Sequence, residues 1–216
     1  GKEELFGLFL DYPGIITFDV GYTKYYEMKI TASDWNMDAY VITGENLKDI
    51  VKQFRELVGR SYIAPRWGLG YGQCKWSYMS AAEVREVAMK HRELGIPLDS
   101  MYLDIDYMER YKDFTINEET FPNFEEFVEE MKKENIHLVP IIDAGVKMEE
   151  GYSVYEEGME KGYFCLKEDG KPFLPAVWPG LSVFPDVLNK EAREWFGNNY
   201  KFLLDKGIEG FWNDMN

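Results

Sequence analysis

Apolar positions change their spacing twice along the chain. Up to Thr43 they come in short runs separated by turn residues. Leu5 to Leu10 is apolar and stops at Asp11-Tyr12-Pro13-Gly14; Ile15 to Phe18, Tyr25 to Thr31 and Ala39 to Thr43 follow. That spacing predicts the short strands of a meander or sandwich. They are too few to close a sandwich alone, so residues 1–43 are expected to be the end of a larger β-sandwich domain whose start lies upstream. Leu47, Ile50, Val51, Phe54, Leu57 and Val58 then recur at helical spacing, and Gly59 stops the run. Residues 44–63 are read as a linking helix and its tail.

From Ala64 strand-like and helix-like segments alternate. Trp67 to Tyr71 predicts a Gly-rich first strand. Ser80 with Glu83 three residues on is a capping box, opening a helix to about Leu94 that ends at Gly95-Ile96-Pro97. Ser100 to Leu103 and His137 to Ile142 predict two further strands, with a helix from about Phe124 to Asn135 between them. Ala144 to Leu188 is a Gly- and Pro-rich excursion, of a length that is unusual unless it serves a function. A helix from about Lys190 to Lys206 leads to a last apolar run, Ile208 to Trp212. The order β-α-β-α-β-α-β over residues 64–216 predicts an α/β fold, the first half of a (β/α)8 barrel.

Three of these predicted strands run into acids: Asp104-Ile105-Asp106, Asp143 and Asp214. A barrel presents its catalytic groups at the C-terminal ends of its strands. Asp214, held between Trp212-Asn213 and Met215, suits a nucleophile or a general acid/base, because such neighbours desolvate and orient it. Asp104 and Asp106 on one continuing strand would point to the same side. They could hold a divalent metal, bind hydroxyls beside a structural acid, or form a solvated turn, and Asp143 has the same three readings. Trp76, Trp178 and Trp212 fall at or beyond the predicted strand ends and together suggest a ligand platform. His91 inside a helix and His137 at a strand start are read as structural. Without a histidine beside the acids, neither a zinc site nor a Ser-His-Asp triad has its parts. Gly70-Tyr71-Gly72 lacks the third glycine and the immediate helix of a phosphate loop.

Charge narrows the partners. The formal net charge is -15, which argues against a nucleic-acid partner. No apolar run has transmembrane length and no signal-like segment is present, so no membrane partner is expected. Cys74 and Cys165 make neither a disulfide framework nor a zinc site, and a reducing, cytoplasmic location is expected.

Gly210-Phe211-Trp212-Asn213-Asp214-Met215-Asn216 resembles the active-site signature of glycoside hydrolase family 31, the α-glucosidase and α-xylosidase family. Tyr102 to Met108, Ile141 to Gly145, Val177-Trp178-Pro179-Gly180 and Phe184-Pro185-Asp186 match further blocks in the same order, from about Trp67 onward. The resemblance implies a retaining α-glucosidase that releases glucose from the non-reducing end of an α-glucoside or oligosaccharide, without metal or organic cofactor. Asp214 would be its nucleophile. Asp104 would hold the hydroxyls of the terminal glucose. Trp76, Ile105, Ile141, Trp178, Trp212 and Met215 would wall the pocket, with Asp143 lining or supporting it and Asp106 structural. The family's acid/base would follow Asn216, so the rest of the barrel is required and these residues alone are expected to be inactive. The alternatives are an α-xylosidase or transglycosylase on the same scaffold, and a metal-dependent glycosyltransferase using Asp104-Ile105-Asp106.

Overall fold

The computed structural model describes residues 5–214, so Met215 of the predicted pocket lies outside the described residues. The chain divides into two compact units, one up to Ile63 and the other from Ala64.

The first unit contains β1 (Phe6–Asp11), β2 (Ile16–Val20), β3 (Met28–Ala32), β4 (Asp38–Thr43) and α1 (Leu47–Val58). β1 pairs antiparallel with β4, and β2 with β3, as two separate two-stranded sheets. The sandwich expected here is therefore seen only as two strand pairs. α1 packs on β1 and β4, but the β2–β3 pair has no second layer among the described residues to bury its apolar face, and Phe18 and Val20 stay exposed. α1 matches its predicted span: Asn46 accepts from the Lys48 and Asp49 amides at its start, and Gly59 follows its end with φ 100°. Its buried residue is Ile50, and Ile42 of β4 is the other buried apolar residue among the described residues of this unit.

The second unit is α/β. Its strands β5 (Gly72–Gln73), β6 (Ser100–Leu103), β7 (His137–Ile142) and β11 (Trp212–Asn213) form one parallel sheet. They lie side by side in chain order, a curled half-barrel. Between them come α2 (Ala81–Glu93), α3 (Phe124–Lys133), an insertion, α5 (Lys190–Asn199) and the short α6 (Lys201–Leu204). The insertion carries β8 (Val146–Lys147), α4 (Ser153–Lys161), β9 (Ala176–Val177) and β10 (Gly180–Val183). β6 and β7 are nearly continuous apolar runs because a parallel sheet is covered on both faces. In α3, Phe124, Phe127, Val128 and Met131 recur at three- and four-residue spacing and are all buried.

Several expectations need correcting. Trp67 to Tyr71 is not a strand: Arg66–Leu69 makes a 3-10 turn after Pro65, and pairing begins only at Gly72 opposite Ser100. Asp104 and Asp106 do not share a strand either. Asp104 accepts from the Ile105 amide and opens a 3-10 turn, Ile105–Tyr107, so the two-residue alternation stops at Leu103. The excursion from Ala144 carries a small sheet, in which β10 pairs antiparallel with both β8 and β9. The last strand is shorter than Ile208 to Trp212, because pairing with β7 starts at Trp212 opposite Ile141. Gly210 lies against Trp67, whose Cη2 would stand 2.7 Å from an added Cβ. The Ser80 cap holds, with its hydroxyl accepting from the Glu83 amide at 3.2 Å, but the Glu83 carboxylate reaches the Met79 amide instead of closing the box on Ser80.

Candidate active site

Register brings the three strand-end acids to one edge of the half-barrel. Leu103 pairs with Pro140, Trp212 with Ile141 and Asn213 with Ile142. Asp104 therefore follows β6 one step after the Pro140 level. Asp214 and Asp143 both follow the Asn213–Ile142 pair, and the Asp214 amide donates to the Ile142 carbonyl at 3.2 Å.

The three acids feel one another. Burial, opposed by the Ile105 amide and reinforced by the charges of Asp106 and Asp214, raises the Asp104 carboxyl above its ordinary value. Burial likewise raises Asp143, with the charges of Asp214 and Asp104 adding to it and the Gly145 amide working the other way. Neither Asp143 oxygen makes a well-aligned hydrogen bond among the described residues. Like charges gathered in a partly desolvated place oppose one another's ionisation.

The predicted walls divide into two groups. Ile105 and Ile141 are buried, as core residues of the half-barrel, and the Ile141 carbonyl accepts from the Tyr107 hydroxyl at 2.8 Å. Trp212 is partly buried and meets Tyr102 edge-on, with ring centroids 6.3 Å apart. Trp76 and Trp178 are 74% and 60% exposed, and their rings lie 6.1 Å apart. Trp76 follows β5 at the acid-bearing edge, two residues after Cys74, whose thiol feels the Asp104 charge. Asp106 accepts from the Tyr111 hydroxyl at 3.3 Å. It also lines an open cleft of about 440 Å³ with Trp178, Arg110 and Lys147.

The histidines stand elsewhere. His137, at the start of β7, stacks on Trp67 at 4.3 Å and contacts the Glu209 carboxylate at 2.8 Å. His91 Nδ1 lies 2.9 Å from the Val87 carbonyl within α2. Among the described residues no group of three or more His, Cys, Asp or Glu is placed to hold a metal ion.

A second layer of polar residues lies behind the acids, and sequence reading missed it. Asp113 is buried and accepts from the Asp143 amide at 3.1 Å, while its carbonyl accepts from the Tyr152 hydroxyl at 2.8 Å. The Tyr200 hydroxyl reaches the Asn213 side chain. The one available signal was an acid between Lys112 and Phe114, in the stretch between the strand ending at Leu103 and the helix from about Phe124.

Residues 61–216 match the family described as "Glycosyl hydrolases family 31 TIM-barrel domain". The chain belongs to glycoside hydrolase family 31. It is 43% identical over 210 residues to the Alpha-glucosidase 2 of Bacillus thermoamyloliquefaciens, covering 97% of this chain and 27% of that protein. A solved family 31 alpha-glucosidase from Bacteroides thetaiotaomicron superposes with a TM-score of 0.86 at 32% identity, covering 99% of this chain and 36% of that one. The alpha3-Glc2-bound form of the glucosidase II alpha subunit gives 0.81 at 26% identity, covering 98% and 24%. The chain thus spans about a third or less of the length of these relatives.

Proposed function

We propose that the enzyme built on this family 31 half-barrel is a retaining α-glucosidase that cleaves glucose from the non-reducing end of α-glucosides. The observation that carries the reading is the meeting of Asp104, Asp143 and Asp214 at the C-terminal ends of adjacent parallel strands. An α-glucosidase relative at 43% identity and a sugar-bound structural neighbour support the substrate class. On this reading residues 1–43 are the end of a β-sandwich domain, residues 44–63 link it to the barrel, and residues 64–216 are its first four β/α units.

Asp214 attacks the anomeric carbon, the glycosidic bond breaks, and the sugar becomes esterified to its carboxyl. Retaining glycosidases need a second carboxyl roughly 5–5.5 Å from the first to protonate the departing oxygen and then deprotonate water. The family resemblance assigns that group to a barrel strand after residue 216. Asp104 binds the hydroxyls of the terminal sugar, because a half-buried carboxylate whose one described hydrogen bond is to Ile105 keeps acceptor capacity for them. Asp143 stands beside it. Trp76, Trp178 and Trp212 present rings to the apolar faces of the sugars, with Ile105 and Ile141 in the core beneath them.

In the full-length enzyme, Asp214→Ala is expected to lower kcat for p-nitrophenyl α-glucoside by about 10⁴-fold or more. Turnover within tenfold of wild type would remove Asp214 from the chemistry. The 216 residues alone are expected to release no glucose.

A further inference from the structure

Asp113 sits where four segments of the half-barrel meet. Asp143 at the end of β7, Tyr107 after β6, Tyr152 before α4 and Tyr200 between α5 and α6 are the titratable groups that face it. One carboxyl oxygen accepts from the Asp143 amide; the other is buried without a hydrogen-bond partner among the described residues. No lysine or arginine forms an ion pair with it among those residues. The neighbouring Lys112 turns instead to Glu109 and Glu149, at 3.1 and 3.3 Å. A carboxylate buried with one amide donor and no cation carries a large desolvation cost, and such a group takes up a proton.

We propose that Asp113 is a positioning residue of the site, a neutral carboxylic acid that holds the turn after β7 through the Asp143 amide and sets where the Asp143 carboxyl stands beside Asp104 and Asp214. Burial first, then the charge of Asp143, moves Asp113 well above the usual carboxylate range, against the pull of the Asp143 amide. The protonated form spares Asp143 an anion at its back, which would add to the opposing charges of Asp104 and Asp214. The tyrosines around it tie the same turn region: Tyr152 holds the Asp113 carbonyl, Tyr107 the Ile141 carbonyl and Tyr200 the Asn213 side chain. The proposal rests on the α-glucosidase reading of Asp214.

The test uses the full-length enzyme. Asp113→Asn keeps an acceptor for the Asp143 amide and cannot ionise, so it matches the neutral acid. It is expected to hold kcat, and the pH profile of kcat/KM, within about threefold of wild type. Asp113→Ala removes the acceptor and is expected to lower kcat by about 100-fold with a smaller change in KM, the scale of a small misplacement at a reacting centre. The infrared difference between wild type and Asp113→Asn at neutral pH is expected to contain a protonated carboxylic acid band. An Asn variant as slow as the Ala variant, with its acid limb displaced, overturns the neutral acid, and so does the absence of that band. Wild-type kcat in Asp113→Ala overturns the positioning role. If the Ala variant does not fold, the pH profile and the infrared band of the Asn variant decide. The band needs no turnover, so an active Asp214→Ala would sink the mechanism, and the positioning role with it, while the neutral acid at Asp113 is still decided by the band.

Discussion

Strand β7 and strand β2 are both short and both rich in branched and aromatic residues, yet one is hidden and the other is not. Five of the six residues of β7 are buried. None of the five of β2 is. The difference lies in their neighbours. β7 is paired on both edges, by β6 and β11, and α3 packs against it. β2 pairs only with β3, in a hairpin with no third strand among the described residues. Strand propensity in both stretches is satisfied by backbone pairing; burial comes only with a second layer. The candidate site follows the same rule, since its acids stand on the strands that have neighbours on the sheet.

The sharpest way to break this comparison is to remove a ring from each region. Phe127 is 1% exposed, lies against Phe121 and Phe124 at 6.3 Å, and carries the Arg85 guanidinium 4.7 Å above it. Phe127→Ala is expected to cost about 3–5 kcal/mol in chemical denaturation of the full-length enzyme, the range for emptying a packed aromatic site. A loss under about 1 kcal/mol would mean that the core behind β7 is not the packed unit described.

Asp104 supplies an intermediate effect and a sign. Its carboxyl titrates above 3.8 in the folded protein because burial, and then the charges of Asp106 and Asp214, oppose ionisation more than the Ile105 amide favours it. Below 3.8 both folded and unfolded chains hold the proton, and the site costs nothing. As pH rises past that value the unfolded chain ionises first, and the folded state loses stability until its own raised pKa is passed. Asp104→Asn is therefore expected to raise Tm at pH 7, with the gain disappearing in strong acid, while sugar binding is lost. An unchanged or lower Tm at neutral pH would show that burial and the neighbouring charges do not oppose the ionisation of Asp104 as its placement implies.

The smallest effect belongs to the first unit. Phe18, on β2, is 55% exposed. Phe18→Ala in the full-length enzyme is expected to change stability by no more than about 0.5 kcal/mol. A cost approaching that of Phe127→Ala would show that this face is covered in the whole protein.

Several regular elements were legible from the chain. Ser100–Leu103 and His137–Ile142 have the bounds their apolar runs predict, and α1 runs between its Asn46 cap and Gly59. These are places where periodicity, caps and breakers agree. The misses occur where one residue's side chain competes with the regular backbone. Asp104 captures the Ile105 amide and turns the chain out of its strand. Pro65 starts a 3-10 turn where a strand was expected. The pairing of β10 with β8 joins Ser182 to Lys147 and Val183 to Val146, far apart in the chain, which local pattern does not encode.

The sequence by itself determined the class of the fold, the order of its strands and the acids at their ends, because those follow from local periodicity and from the chemistry of each residue. Only the tertiary structure decided which acids share an electrostatic neighbourhood, because register across β6, β7 and β11 is a property of pairing between distant segments. It also decided the place of Asp113. No local pattern marks it, and its burial arises from Asp143 and three tyrosines that come from four separate parts of the chain. An isolated acid in a polar segment reads as solvated until the elements that enclose it have packed.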